Sequence, residues 1–112
     1  MRTMMFSMSF SISEVVLLPI PFTDLTSRKV RPAIIIGHSS FTGDLFVIPI
    51  SSQLQNADVA LLDWPAAGLN VPCGIKPQLA TIESRLVIKT IGVLSPRDRD
   101  SCKNRLRAWL GL

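Results

Sequence analysis

The sequence predicts a mainly β domain that ends in a single α-helix. Three observations carry this. Short apolar runs recur along the chain, each broken by polar, Gly or Pro residues. The segment after Ser95 switches to helical spacing, with its apolar residues three and four apart. The chain has 112 residues, enough for one domain with a modest core. Residues 1–112 therefore read as a single domain, with 1–12 as a loose extension ahead of the first strand.

The elements follow in order. Residues 14–20 are apolar on both faces and read as a buried strand, stopped by Pro19 and Pro21. Residues 23–29 are polar and read as a mobile loop. Residues 33–37 and 45–50 are strands joined through a turn at Thr42-Gly43-Asp44, so the pair reads as a hairpin. Pro49 near the end of the second strand predicts an edge or a bulge. Residues 58–62 read as a short strand and Trp64 to Leu69 as an irregular connection. Residues 73–81 read as one extended segment and 86–94 as the last long strand.

Ser95 then caps a helix, Pro96 suits its first position, and Asp98 faces its N-terminal dipole. Cys102, Leu106, Trp109 and Leu110 form the face that packs on the sheet. Arg99, Lys103 and Arg107 run along the flank as a solvated basic stripe. Many short strands followed by one helix describe a small, strongly curved antiparallel sheet, an SH3-like barrel under a C-terminal helix.

Composition limits the function classes. With 47% apolar residues and positive mean hydropathy the chain is not disordered. No apolar run reaches the ~18 residues of a membrane span. The N-terminus is a poor secretory signal, because no small-residue cleavage site follows its apolar stretch. A net charge of +4 and a pI near 9.7 fit a polyanionic partner, and fit plain solubility equally well. Cys73 and Cys102 read as reduced core residues of a cytoplasmic protein. One histidine, and cysteines not at ligand spacing, give no metal site and no Ser-His-Asp set. No cofactor motif is present. Asp98 and Asp100 read as capping and surface charge.

Two stretches carry chemistry. Residues 29–36, Lys-Val-Arg-Pro-Ala-Ile-Ile-Ile, open a strand on Arg31. Residues 47–53, Val-Ile-Pro-Ile-Ser-Ser-Gln, close one on Ser51 and Ser52. If the strands pair, an arginine fork and a hydroxyl pair share one edge of the sheet. Those groups suit a phosphodiester gripped without metal. The bland alternative pairs Arg31 with Asp24 or Glu83 and makes Ser51-Ser52 a turn.

Five segments in this order resemble the PemK/MazF family of type II toxin–antitoxin toxins. They are residues 14–24 (EVVLLPIPFTD), 31–33 (RPA), 49–53 (PISSQ), 76–82 (KPQLATI) and 91–95 (IGVLS). The resemblance runs from about Ser13 to the C-terminus. It implies an SH3-like barrel, a homodimer, and metal-independent, sequence-selective cleavage of single-stranded RNA. It also implies neutralisation by a cognate antitoxin whose disordered C-terminal segment covers the RNA groove.

By the same resemblance the family's arginine before proline falls on Arg31, and its hydroxyl at the end of the third strand falls on Ser51. The loop over 23–30 matches the segment that gates the site. Arg28, Lys29, Ser52, Gln53 and Lys76 are the RNA-binding candidates. Asp24, Glu83 and His38 are candidate acid/base groups in no firm order. Phe22 and Phe41 are the stacking candidates. The chain departs from the family in three places. Ser13 stands where glycine is usual, Ser51 replaces threonine, and no aspartate lies near Lys76-Pro77.

Two rivals use the same barrel. One is a gyrase-binding toxin of the CcdB kind, with Trp109 near the C-terminus as its foothold. The other is a non-catalytic barrel that only binds a partner.

Overall fold

The computed structural model describes residues 10–19 and 29–112. Seven strands are described: β1 (Glu14–Pro19), β2 (Val30–His38), β3 (Leu45–Ser51), β4 (Val59–Ala60), β5 (Gly74–Ile75), β6 (Ala80–Ile82) and β7 (Lys89–Val93). One helix, α1 (Pro96–Leu110), follows them. All strand pairs are antiparallel. The sheet runs β4-β5-β3-β2-β1-β7, and β6 also pairs with β3. This is the predicted mainly β class with its C-terminal helix. The sheet curves but is not closed, and β4 and β7 end the path.

The apolar runs fill both faces of the central strands. Val15, Ile34, Ile48 and Ile75 belong to one core, against which Leu106 and Trp109 of α1 pack. Val16, Leu18, Ile35 and Val47 belong to a second core, covered by Phe10, Ala80, Ile82 and Val87. Alternation along β1 and β2 thus feeds two cores, which is why these runs lack the polar face of a half-exposed strand.

The β2–β3 hairpin has its predicted tip. Gly43 has φ 80°, and the Ser39 hydroxyl accepts from the backbone N–H groups of Phe41 and Thr42. Pro49 is neither an edge nor a bulge residue. It is buried in β3 opposite Ala33, and the bulge lies between Ile35 and Gly37 of β2. Its missing N–H is tolerated where β3 changes partner, from β6 at Leu45–Val47 to β5 at Ile50 and Ser51. The Pro49 carbonyl accepts from the Lys76 N–H at 3.0 Å within that gap. The segment read as one extended stretch over 73–81 is therefore two strands, split at Lys76-Pro77-Gln78. The last strand is also shorter than expected, because Ser84–Leu86 forms a 3-10 turn.

Ser13 precedes β1 with φ 79°, in the left-handed region that favours glycine. It is held there on both sides. Its N–H donates to the Ile35 carbonyl at 2.7 Å, and its carbonyl accepts from Leu94 at 2.9 Å.

α1 begins as predicted, with Ser95 accepting from the Asp98 N–H and Pro96 in the first turn. It ends on Gly111 with φ 72°. Asp98 is not surface charge. It is 1% exposed and accepts from the N–H groups of Leu62 (2.9 Å) and Asp63 (2.7 Å). Asp63 in turn accepts from Arg97 Nε and Nη2 (both 2.7 Å) and from the Ser95 hydroxyl (2.6 Å). Asp58 accepts from Arg105 Nε (2.9 Å) and the Trp109 indole N–H (2.8 Å). Cys102, Leu106 and Trp109 face the core as expected, but Leu110, one turn beyond Leu106, is exposed and lies outside that core. Both cysteines are buried and free. Among the described residues no helix is long and apolar enough to cross a membrane.

Candidate functional site

β2 and β3 place Arg31 and Ser51 at the same end of the sheet. Their ladder runs from His38 opposite Leu45 to Ala33 opposite Pro49. Two residues beyond that last pair stand Arg31 and Ser51, which by alternation leave on one face. Both line an open cavity of about 1060 Å³. Lys29, Ser52, Gln53 and Lys76 line it too, so the structure gathers most of the expected residues in one place. Its apolar floor includes Leu17, Pro32 and Ile50.

The hydroxyl and the cations are set differently. Ser51 is half-buried, and its Oγ accepts from the Gln53 N–H at 3.0 Å, which leaves its O–H to donate. Arg31 and Lys29 are exposed and make no ion pair among the described residues. No described carboxylate lines the cavity. The wall is cationic and polar, a surface that attracts a polyanion. The Cys73 thiol lies in the same wall, but burial raises its pKa and its Sγ donates to the Val71 carbonyl at 3.2 Å. It is a protonated structural group there.

Two acid/base candidates lie elsewhere. His38 ends β2, seven residues from Arg31, or roughly 23 Å along an extended strand. Glu83 follows β6 and pairs with Arg85 at 2.6 Å, so it is not the partner of Arg31. Phe41 is 95% exposed at the hairpin tip and also lies outside the cavity lining. Asp24, Arg28 and Phe22 fall outside the described residues.

The sequence reading missed part of the wall. Lys89 and Thr90 of β7 line the cavity, as do Asn56 and Asn70. Lys89 pairs with Leu17 of β1, whose other neighbour is Pro32, so one row across three strands sets Lys89 beside the Arg31 end of β2. A lysine inside an apolar run was its only signal. The connection bearing Asn70 is held against β7 by two glycines. A Cβ on Gly68, at φ 82°, would come within 2.0 Å of the Ile91 carbonyl oxygen, and one on Gly92 within 2.3 Å of the Ala67 carbonyl carbon.

A family model, described as a PemK-like, MazF-like toxin of type II toxin–antitoxin systems, matches residues 13–110. The chain belongs to this family. Among solved structures it is similar to an endoribonuclease in complex with its cognate antitoxin from a mycobacterial species. The TM-score is 0.64 at 15% identity, covering 89% of this chain and 91% of that one. At that identity the likeness establishes the PemK/MazF-like fold. No curated protein matches the chain.

Proposed function

We propose that this PemK/MazF-like toxin is a metal-independent endoribonuclease, an mRNA interferase that cuts single-stranded RNA. The observation that carries the reading is the joint placement of Arg31, Ser51 and three lysines around one cavity with no described carboxylate in its lining. The 2′-oxygen of the substrate attacks the adjacent phosphorus and loses its proton. The bond to the 5′-oxygen breaks, and that oxygen gains a proton. The products are a 2′,3′-cyclic phosphate and a 5′-OH. Arg31 stabilises the charge that builds on the phosphoryl oxygens, worth about 3 kcal/mol or roughly a hundredfold in rate. Ser51 donates its O–H to a non-bridging oxygen or orients the 2′-OH. Its Oγ is already fixed by Gln53. Asp24 remains the acid/base candidate from the sequence.

The same reading assigns an antitoxin whose disordered C-terminal segment competes for the cationic cavity, a cytoplasmic site of action, and a homodimer. Support for the dimer comes from a second hollow of about 310 Å³ that shares no residue with the cavity. It is lined mainly by apolar groups, among them Ile36, Phe46, Leu79 and Leu110. Phe46→Glu is expected to turn a dimer into a monomer by light scattering; a dimer that persists places the interface elsewhere. The gyrase reading loses its foothold, since the Trp109 indole is held by Asp58 and packed on the core.

The reaction is tested by end chemistry. An RNA and the DNA of the same sequence are incubated with the protein. RNA cut to 5′-OH and cyclic phosphate ends, with DNA bound but uncut, is expected. Cut DNA, or 5′-phosphate ends, would refute the 2′-OH mechanism.

A further inference from the structure

Ser51 stands at the start of a tightly closed connection. Ile50 and Ser51 of β3 pair with Ile75 and Gly74 of β5, and Val59 and Ala60 of β4 pair with the same two residues. The chain thus leaves one edge of β5 and returns at once to the other. The return is close. A Cβ on Gly74 would come within 2.6 Å of the Ala57 Cβ and of the Val59 carbonyl oxygen. The Asp58 N–H donates to the Ile75 carbonyl at 2.8 Å. Inside this connection Asn56 is tied to Gln53 by backbone and by side chain. Its N–H donates to the Gln53 carbonyl at 2.9 Å, and its Nδ2 donates to Gln53 Oε1 at 2.8 Å. The Gln53 N–H in turn donates to Ser51 Oγ at 3.0 Å. A chain of hydrogen bonds therefore runs from Asn56 to the hydroxyl that lies at the Arg31 end of the sheet. That hydroxyl has no other restraint of its own. Serine lacks the β-methyl that stiffens threonine, so its χ1 is free to choose among the staggered wells. The Gln53 N–H selects the well in which Oγ reaches it.

We propose that Asn56 is a positioning residue for the RNA cut: by clasping Gln53 it keeps the Gln53 N–H on Ser51, and so fixes the direction in which the Ser51 hydroxyl meets the substrate. The proposal rests on the RNA-cutting reading above. Asn56 acts through Gln53 and not on the reacting atoms. Its clasp restrains a serine hydroxyl as a β-methyl restrains that of threonine. Gln53 and Asn56 are both exposed, so water competes for their amides. The clasp is then worth about one net hydrogen bond, or ~5-fold in rate. Because it orients a group at the reacting centre, its loss belongs to kcat rather than to KM.

The test measures kcat and KM for one single-stranded RNA with the wild-type protein and with Asn56→Ala in three backgrounds. In the wild-type background Asn56→Ala is expected to lower kcat about fivefold and to leave KM within about twofold. In the Ser51→Thr background, where the hydroxyl carries its own methyl restraint, the loss is expected to shrink below about twofold. In the Ser51→Ala background, followed with protein in excess over RNA so that slow cuts are counted, no further loss is expected. Thermal melts confirm that each variant is folded. Asn56→Leu, similar in size and without a donor, serves where the alanine variant is not. An unchanged kcat, a rise in KM alone, or an equal loss in all three backgrounds would overturn the positioning role. RNA cutting by the wild-type protein that Arg31→Ala abolishes and Asn56→Ala leaves intact would show that the nuclease reading survives without it. A folded wild-type protein that cuts no RNA would overturn both.

Discussion

Ser13 shows how one residue records its backbone. Its φ of 79° costs a side-chain-bearing residue about 1–2 kcal/mol, and glycine nothing. Hydrogen bonds to Ile35 and Leu94 hold the strained turn in place. Ser13→Gly is expected to stabilise the fold by about 1 kcal/mol and raise the melting midpoint by several degrees. A lower midpoint would mean that the buried serine side chain contributes more than its strain. The glycine usual in the resembling family thus has a geometric cause. Arg31 and Ser51 were readable as a pair because each ends an apolar run in polar residues. Lys89, Asn56 and Asn70 were not, since their common feature is a cavity built from chain segments far apart in sequence.

At the scale of elements, β7 and α1 are attached by different means. β7 meets the connection at Ala67-Gly68 backbone to backbone, with no room for a methyl group at Gly92. Gly92→Ala is expected to cost about 2 kcal/mol or more. It should also weaken RNA binding, because Lys89 and Asn70 part. Unchanged stability and binding would show that this contact does not set the wall.

α1 is tied by acids. Hydrogen bonds from Arg97 and then Ser95 lower the Asp63 pKa from its ordinary 3.8 to about 2, and the Trp109 indole N–H, then Arg105, lower that of Asp58. A carboxylate depressed in the folded state adds stability above its unfolded pKa and loses it as pH falls through the folded value. Urea midpoints are therefore expected to hold near pH 5 and to fall between about pH 4 and pH 2. Asp63→Asn should flatten part of that fall, and an unchanged pH slope in this variant would contradict the assignment. Asp98 was misread because a sequence shows an acid at a helix start but not the two N–H groups of Leu62 and Asp63 that descend onto it.

For the whole molecule, the apolar runs at β1, β2 and β3 and the Ser95-Pro96 helix start announced the fold class. The partner exchange along β3 was hidden. Residues 73–81 have no local signal that their two halves pair with different parts of one strand. Pro49, which locally argues for an edge, is tolerated because that exchange occurs beside it. The exchange also shapes the site. It puts β5 beside Ile50 and Ser51 and brings the Lys76 N–H to the Pro49 carbonyl, at the end of the sheet where Arg31 stands. The central claim is that this end of the sheet cuts RNA by itself. It is tested most directly by incubating a long mixed-sequence single-stranded RNA with purified protein in EDTA, beside a folded Arg31→Ala variant. Discrete cuts that fall by about a hundredfold or more in the variant are expected. No cuts by the folded wild-type protein, or equal cutting by the variant, would contradict the claim.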